Sequence, residues 1–169
     1  LVENKPAVPG QALSVPVNFI NSCPLLSASL ALRFDASALH LVAVSYGGSK
    51  FDYVTEKTET IDNVAGTVRL RADVGAQSLV PDGFGNWATL MFVVRPEATA
   101  GFYPVTLDNN RDGDNPRFIR DCGQDPESQI PEFVSGGVVV DQLANSVCGY
   151  VVDTNGVEIP GATVQLWAD

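Results

Sequence analysis

Residues 12–20 alternate between apolar and polar positions. Leu13, Val15, Val17 and Phe19 are separated by Ser14, Pro16 and Asn18, the period of a half-buried strand. Pro16 has no N–H for a ladder, which predicts an edge strand or a bulge at that point. The same alternation returns over 27–34, with Ala28, Leu30, Leu32 and Phe34 on one face and Ser27, Ser29, Ala31 and Arg33 on the other. Residues 35–39 read as a short turn that coils for about one helical turn, and a further strand follows over 39–46. His40 stands alone within it.

Residues 51–62 are polar and Thr-rich and predict one or two exposed strands, with Tyr53, Val54 and Ile61 as their apolar points. Val68, Leu70, Ala72 and Val74 mark the next strand, 87–94 the most apolar one, and 102–107 another. Residues 108–132 form a long acidic loop expected to hold one short strand, at 117–119. The run 133–140 closes the series. Gly, Pro, Asn or Asp punctuates the gaps, and no long helical period occurs in the first 140 residues. The pattern is that of an all-β sandwich over 1–142. After a linker at 142–146, strands over 147–152 and 162–166 flank turns at Asn155-Gly156 and Pro160-Gly161. A lone hairpin is marginal in water, so 143–169 are read as the truncated start of a second sandwich.

Ten Lys and Arg against twenty Asp and Glu leave a formal charge of −10. Nucleic acid and anionic membranes need basic patches, so neither is an expected partner. No apolar run reaches membrane-spanning length. The chain opens at Leu1 without a basic-then-apolar leader and reads as a mature or excised fragment. The three cysteines are Cys23, Cys122 and Cys148, so at least one stays unpaired within the chain. Cys23 and Cys122 both lie in loop-like sequence, and a disulfide between them suits an oxidising compartment. Whether their Cα atoms come within bonding range is left to the structure.

The stretches "PGQALSVPVNF", "LALRFDASALHLVAVSYG", "GTVRLRADVG", "GNWATLMFVVRPEATAGFYPVTL" and "FVSGGVVV", in this order, resemble a cohesin module, the nine-stranded jelly-roll sandwich of bacterial cellulosome scaffolds. The turn FD-x-S-x-L-x-L-x-x-V and the terminal GG-V-V-V carry most of the resemblance. Residues 147–167 are similar to the first hairpin of a carboxypeptidase-regulatory-like domain. The cohesin resemblance implies an extracellular, non-catalytic module that binds a dockerin, a small calcium-loaded protein, across one sheet face. That face includes the strand before the FD turn. Type I members often carry Asn and Asp there, where this chain has Ser27 and Ser29. The resemblance places Tyr53, Arg69 and Arg71 among the candidate contacts.

Asp108, Asn110, Asp112 and Asp114, with Gly113, match the first half of a calcium loop, in which oxygens at alternate positions curl around a hard cation. The twelfth position is Ile119 rather than Glu, so Asp121, Asp125 or Glu127 would have to complete it; the alternative is an acidic solvated turn. No cofactor is otherwise expected. Trp87, Trp167, Tyr46, Tyr53 and Tyr103 raise a carbohydrate-binding module as the second functional reading, since sugars stack on exposed rings, although Trp87 begins an apolar strand and reads as core or rim. A structural spacer is the third. No G-x-S-x-G elbow or H-E-x-x-H occurs, and the one histidine sits mid-strand, so catalysis is not expected.

Overall fold

The computed structural model describes residues 1–74, 78–108, 116–123 and 126–141. Among these it is all β, in eleven strands: β1 Asn4–Ala7, β2 Ala12–Asn21, β3 Leu25–Arg33, β4 Leu39–Ser45, β5 Glu56–Asp62, β6 Thr67–Asp73, β7 Gly83–Val94, β8 Gly101–Leu107, β9 Arg117–Arg120, β10 Glu127–Gln129 and β11 Gly136–Val140. One sheet runs β1-β11-β8-β3-β6-β5, and the other β2-β7-β4. Strands β9 and β10 extend the first sheet, because β9 pairs with the half of β3 that β8 leaves open. The count exceeds the expected nine through β1 and through β10, the second of two short strands in the acidic segment.

The period-two pattern sets the layers. Leu30, Leu32, Val68, Leu70, Val105 and Val138 face Val15, Val17, Leu39, Leu41, Leu90 and Phe92 in one buried core. At one end Phe19, Phe51, Trp87 and Phe118 form an aromatic cluster, with Phe51 stacked on Trp87 at 4.8 Å between ring centroids and Phe118 at 5.4 Å from Trp87. Phe51 corrects the reading of 51–62 as exposed strands. The strand begins only at Glu56, and Phe51 is a fully buried turn residue held by its N–H to the Ser49 hydroxyl.

The turn at 35–39 has a direct cause. The Asp35 carboxylate accepts hydrogen bonds from the Ser37 N–H and hydroxyl, and the Asp35 carbonyl accepts from the N–H groups of Ala38 and Leu39. Phe34 is thereby turned into the core against Phe92, edge to face at 5.2 Å. Strand β2 is an edge strand; Pro16 is regularly paired with Thr89, and the register shifts one pair later, between Val17 and Asn18, where Trp87 is the extra residue on β7. Its outer edge is partly covered: the Pro16 carbonyl accepts from Glu3 and the Asn18 N–H donates to the Leu1 carbonyl. The chain then crosses to the other sheet, where β1 pairs in parallel with β11. Gly136 and Gly137 let β11 pack closely on both its sides, Gly136 against the N-terminal segment and Gly137 against β8. A Cβ on Gly136 would strike the Val2 carbonyl, and one on Gly137 the Tyr103 carbonyl.

Candidate interaction face

The outer face of the larger sheet is built from four strands in register. Ser27 pairs with Asp73 and Ile119, and Ser29 with Arg71 and Arg117. Across β6, Arg71 pairs with Thr58, Arg69 with Thr60, and Asp73 with Glu56. Alternation points these side chains away from the core, since Ala28, Leu30, Leu70, Ala72 and Phe118 point into it. The middle strand β3 contributes only small side chains here, Ser27, Ser29 and Ala31. Its neighbours contribute long ones, Arg69 and Arg71 from β6 and Arg117 and Ile119 from β9. A small-residue floor between long-residue walls makes a trough of about 370 Å³, rimmed on the far side by Thr58 and Thr60.

Charge on this face is sorted by row. Among the described residues the two central rows hold Arg69, Arg71 and Arg117 with Ser29, Ala31, Thr58 and Thr60, and Asp108 stands beside Ala31 with its N–H on the Ala31 carbonyl. Acids stand in the flanking rows: Glu56 and Asp73 at one end, Asp62 at the other. Asp73 accepts from the Nε of Arg71 at 2.8 Å and orients that guanidinium along the sheet. At the opposite end Arg33 is held by the buried Asp108 at 3.1 Å. Four of the ten basic residues of a chain with charge −10 thus lie on one face.

The structure brings Ser27, Ser29, Arg69 and Arg71 together in the trough and adds Arg117, Ile119, Thr58 and Thr60, which the sequence reading did not single out. The outward position of Arg117 is readable in the alternation of "RFIR", where Phe118 is the inward residue. Its neighbour β3 is not readable, because pairing over that distance in sequence leaves no local mark. Tyr53 lies apart, in the turn before β5, with its hydroxyl donating to the carbonyls of Ser78 and Leu79, each at 3.0 Å. Burial pushes its phenol pKa up.

Cys23 and Cys122 are joined by a disulfide with Cα atoms 5.2 Å apart, which ties the start of β3 to the end of β9 beside the trough. Next to it the Asp121 N–H donates to the Pro24 carbonyl. Cys148 lies outside the described residues. Of the calcium-loop candidates, Asp108 closes β8 and is engaged by Arg33, while Asn110, Asp112 and Asp114 lie outside the described residues. Among the described residues no group of three or more His, Cys, Asp or Glu could hold a metal ion. Trp87 is fully buried in the aromatic cluster, as core rather than rim, and so unavailable to a sugar. Tyr103 is bonded through its hydroxyl to the Thr99 carbonyl, and Trp167 lies outside the described residues.

No family model matches the sequence. No curated protein matches it either. Solved structures do match the fold. The seventh ScaB type I cohesin from Pseudobacteroides cellulosolvens aligns with a TM-score of 0.73 at 20% identity, covering 89% of this chain and 96% of that one. A type I cohesin–dockerin complex from Clostridium thermocellum, Coh-OlpA with Doc918, aligns at 0.68 and 14% identity, over 83% and 96% of the two chains. A non-cellulosomal cohesin from the archaeon Archaeoglobus fulgidus aligns at 0.63 and 15% identity, over 83% and 88%. The fold is therefore the cohesin jelly-roll sandwich. The carboxypeptidase-regulatory-like hairpin expected over 147–167 lies outside the described residues, and these matches lend it no support.

Proposed function

We propose that this chain is a non-catalytic protein-recognition module of the cohesin kind, working outside the cell, which binds a dockerin-like partner through the outer face of β9, β3, β6 and β5. The observation that carries this reading is the trough itself. Four paired strands set a floor of small side chains between walls of long polar ones, a fixed relief that needs no loop to close over it. Among solved structures with this fold are complexes of a cohesin with a dockerin. The disulfide supports an oxidising compartment. Trp87, the largest ring that raised sugar stacking among the described residues, is buried in the core, which favours a protein ligand over a polysaccharide.

The test is binding of the full chain to a panel of calcium-loaded dockerins, with amide exchange to map the contact. The expected result is binding by at least one dockerin, lost on chelation, with protection in β3, β6 and β9. Ser29→Tyr fills the trough floor and is expected to weaken that binding at least about tenfold while the chain stays folded. Failure of every dockerin to bind, or protection confined to β2, β7 and β4, would remove the reading.

A further inference from the structure

The flank where β2 faces β9 carries a second binding surface, and its case stands whether or not a dockerin binds β3. Residues 1–3 lie along the outer edge of β2. The Glu3 N–H donates to the Pro16 carbonyl, and Leu1 bonds to Asn18 through both its carbonyl and its amine. Val2 stands opposite Val17, and both are buried. Backbone groups alternate from one edge of a strand to the other, so the N–H and C=O of Ile20 point outward like those of Asn18. No other segment bonds to them among the described residues. At that position the flank opens into a groove of about 700 Å³, a volume usual for ligand sites. Phe19, Trp87 and Phe118 form its floor. Leu1, Ile20, Phe84 and Val134 stand at its rim as exposed apolar side chains, Ile20 at 74% and Phe84 at 65%. Single exposed apolar residues are ordinary, but a contiguous set around a groove marks an interaction site.

We infer that this groove receives an extended, uncharged apolar segment of a protein partner, which adds to β2 as a short strand at Ile20. A strand meets both features at once. Its backbone supplies partners for the Ile20 N–H and C=O, and its alternate side chains fill the groove. Alternation assigns the sides. The partner residue opposite Ile20 turns outward beside Ile20 and Phe84, which are themselves paired. Its two neighbours, opposite Phe19 and Asn21, turn inward over the aromatic floor, as Val2 turns inward beside Val17. Charge narrows the choice further. Asp82 and Glu132 line the groove, and Arg120 is already paired with Glu127 at 3.1 Å, so an acidic segment is disfavoured. A second copy of this chain would bring another charge of −10 against the first. A hydrocarbon ligand would cover the Ile20 backbone without bonding to it, which is unfavourable.

The test is amide NMR of the whole folded chain titrated with three probes: acetyl-Thr-Val-Thr-Val-Thr-amide, the same peptide N-methylated at its central Thr, and decanoate. Saturable shifts are expected with the first peptide at residues 18–22, 83–86 and 131–134. Methylation removes the donor to the Ile20 carbonyl and should weaken binding at least about tenfold. Ile20→Pro should have a similar effect on the first peptide. It removes only the outward N–H, and β2 already carries a proline at the outward-facing position 16. Val134→Asp leaves β2 untouched and puts a charge on the rim, and it too should weaken binding at least about tenfold. Circular dichroism checks both folds. No shift in those segments, equal binding by the methylated peptide, equal binding in both variants, or tighter binding by decanoate would overturn the inference. Shifts at the same residues that grow with protein concentration, without peptide, would assign the groove to a second copy and overturn it as well.

Discussion

Replacing Cys23 and Cys122 by serine is expected to lower the free energy of unfolding by about 2 to 5 kcal/mol. The cross-link spans a sequence separation of 99 residues. A loop of that length removes much conformational freedom from the unfolded chain, and the constraint grows only slowly with further length. The loss should not be uniform. Strand β9 has four residues and meets β3 through a short, shifted register, so the disulfide is a large share of what holds its end in place. Amide protection should therefore fall first in β9 and β10 and only later in β2, β7 and β4. Arg117 stands on β9, so a partner reading that wall should bind more weakly in the serine variant at temperatures where the core is still intact. Urea unfolding gives the global figure, and hydrogen exchange gives the order of loss. Unchanged stability with uniform protection would show that β9 is held by its packing alone.

Trp87→Ala is expected to cost about 3 to 5 kcal/mol, the range for truncating a large aromatic in a packed core. Trp87 is fully buried and touches rings from three other segments: Phe19 of β2, Phe51 of the turn before β5, and Phe118 of β9. No collapse of one strand can fill the space, because the neighbours belong to both sheets and a turn. Its indole N–H has no acceptor among the described residues, and an unmet buried donor is itself unfavourable. Trp87→Phe removes that donor and keeps most of the ring contacts, so it should lose less than half as much. Chemical denaturation of the two variants beside the parent checks both statements. A Phe variant as unstable as the Ala variant would show that the size of the indole, rather than its place in the cluster, is what matters.

Much of this arrangement is legible along the chain wherever its cause is local. Alternation in β3 separates Leu30 and Leu32, in the core, from Ser27 and Ser29, on the face. The Asp35 turn is written in side chains that bond to backbone within four residues. What escapes is what depends on distant pairing. Phe51 sits in a polar stretch with no period, and its burial comes from Trp87, which lies on another strand. Arg117 faces outward by a pattern anyone can read, yet its partnership with Ser29 needs β9 to find the free half of β3. The gathering of arginines on one face of an acidic chain is for the same reason invisible in the net charge. It arises only when β6 and β9 flank the same strand.

The seam between β1 and β11 has a mechanical consequence. The two strands run parallel, with Asn4 opposite Gly137 and Ala7 opposite Val140. A pull on the chain before β1 and after β11 draws them in opposite directions along their common axis. The load falls on all the ladder bonds at once instead of opening them one by one, as it would in an antiparallel pair pulled from a shared end. Tension through this module is therefore met in shear, across the seam between β1 and β11.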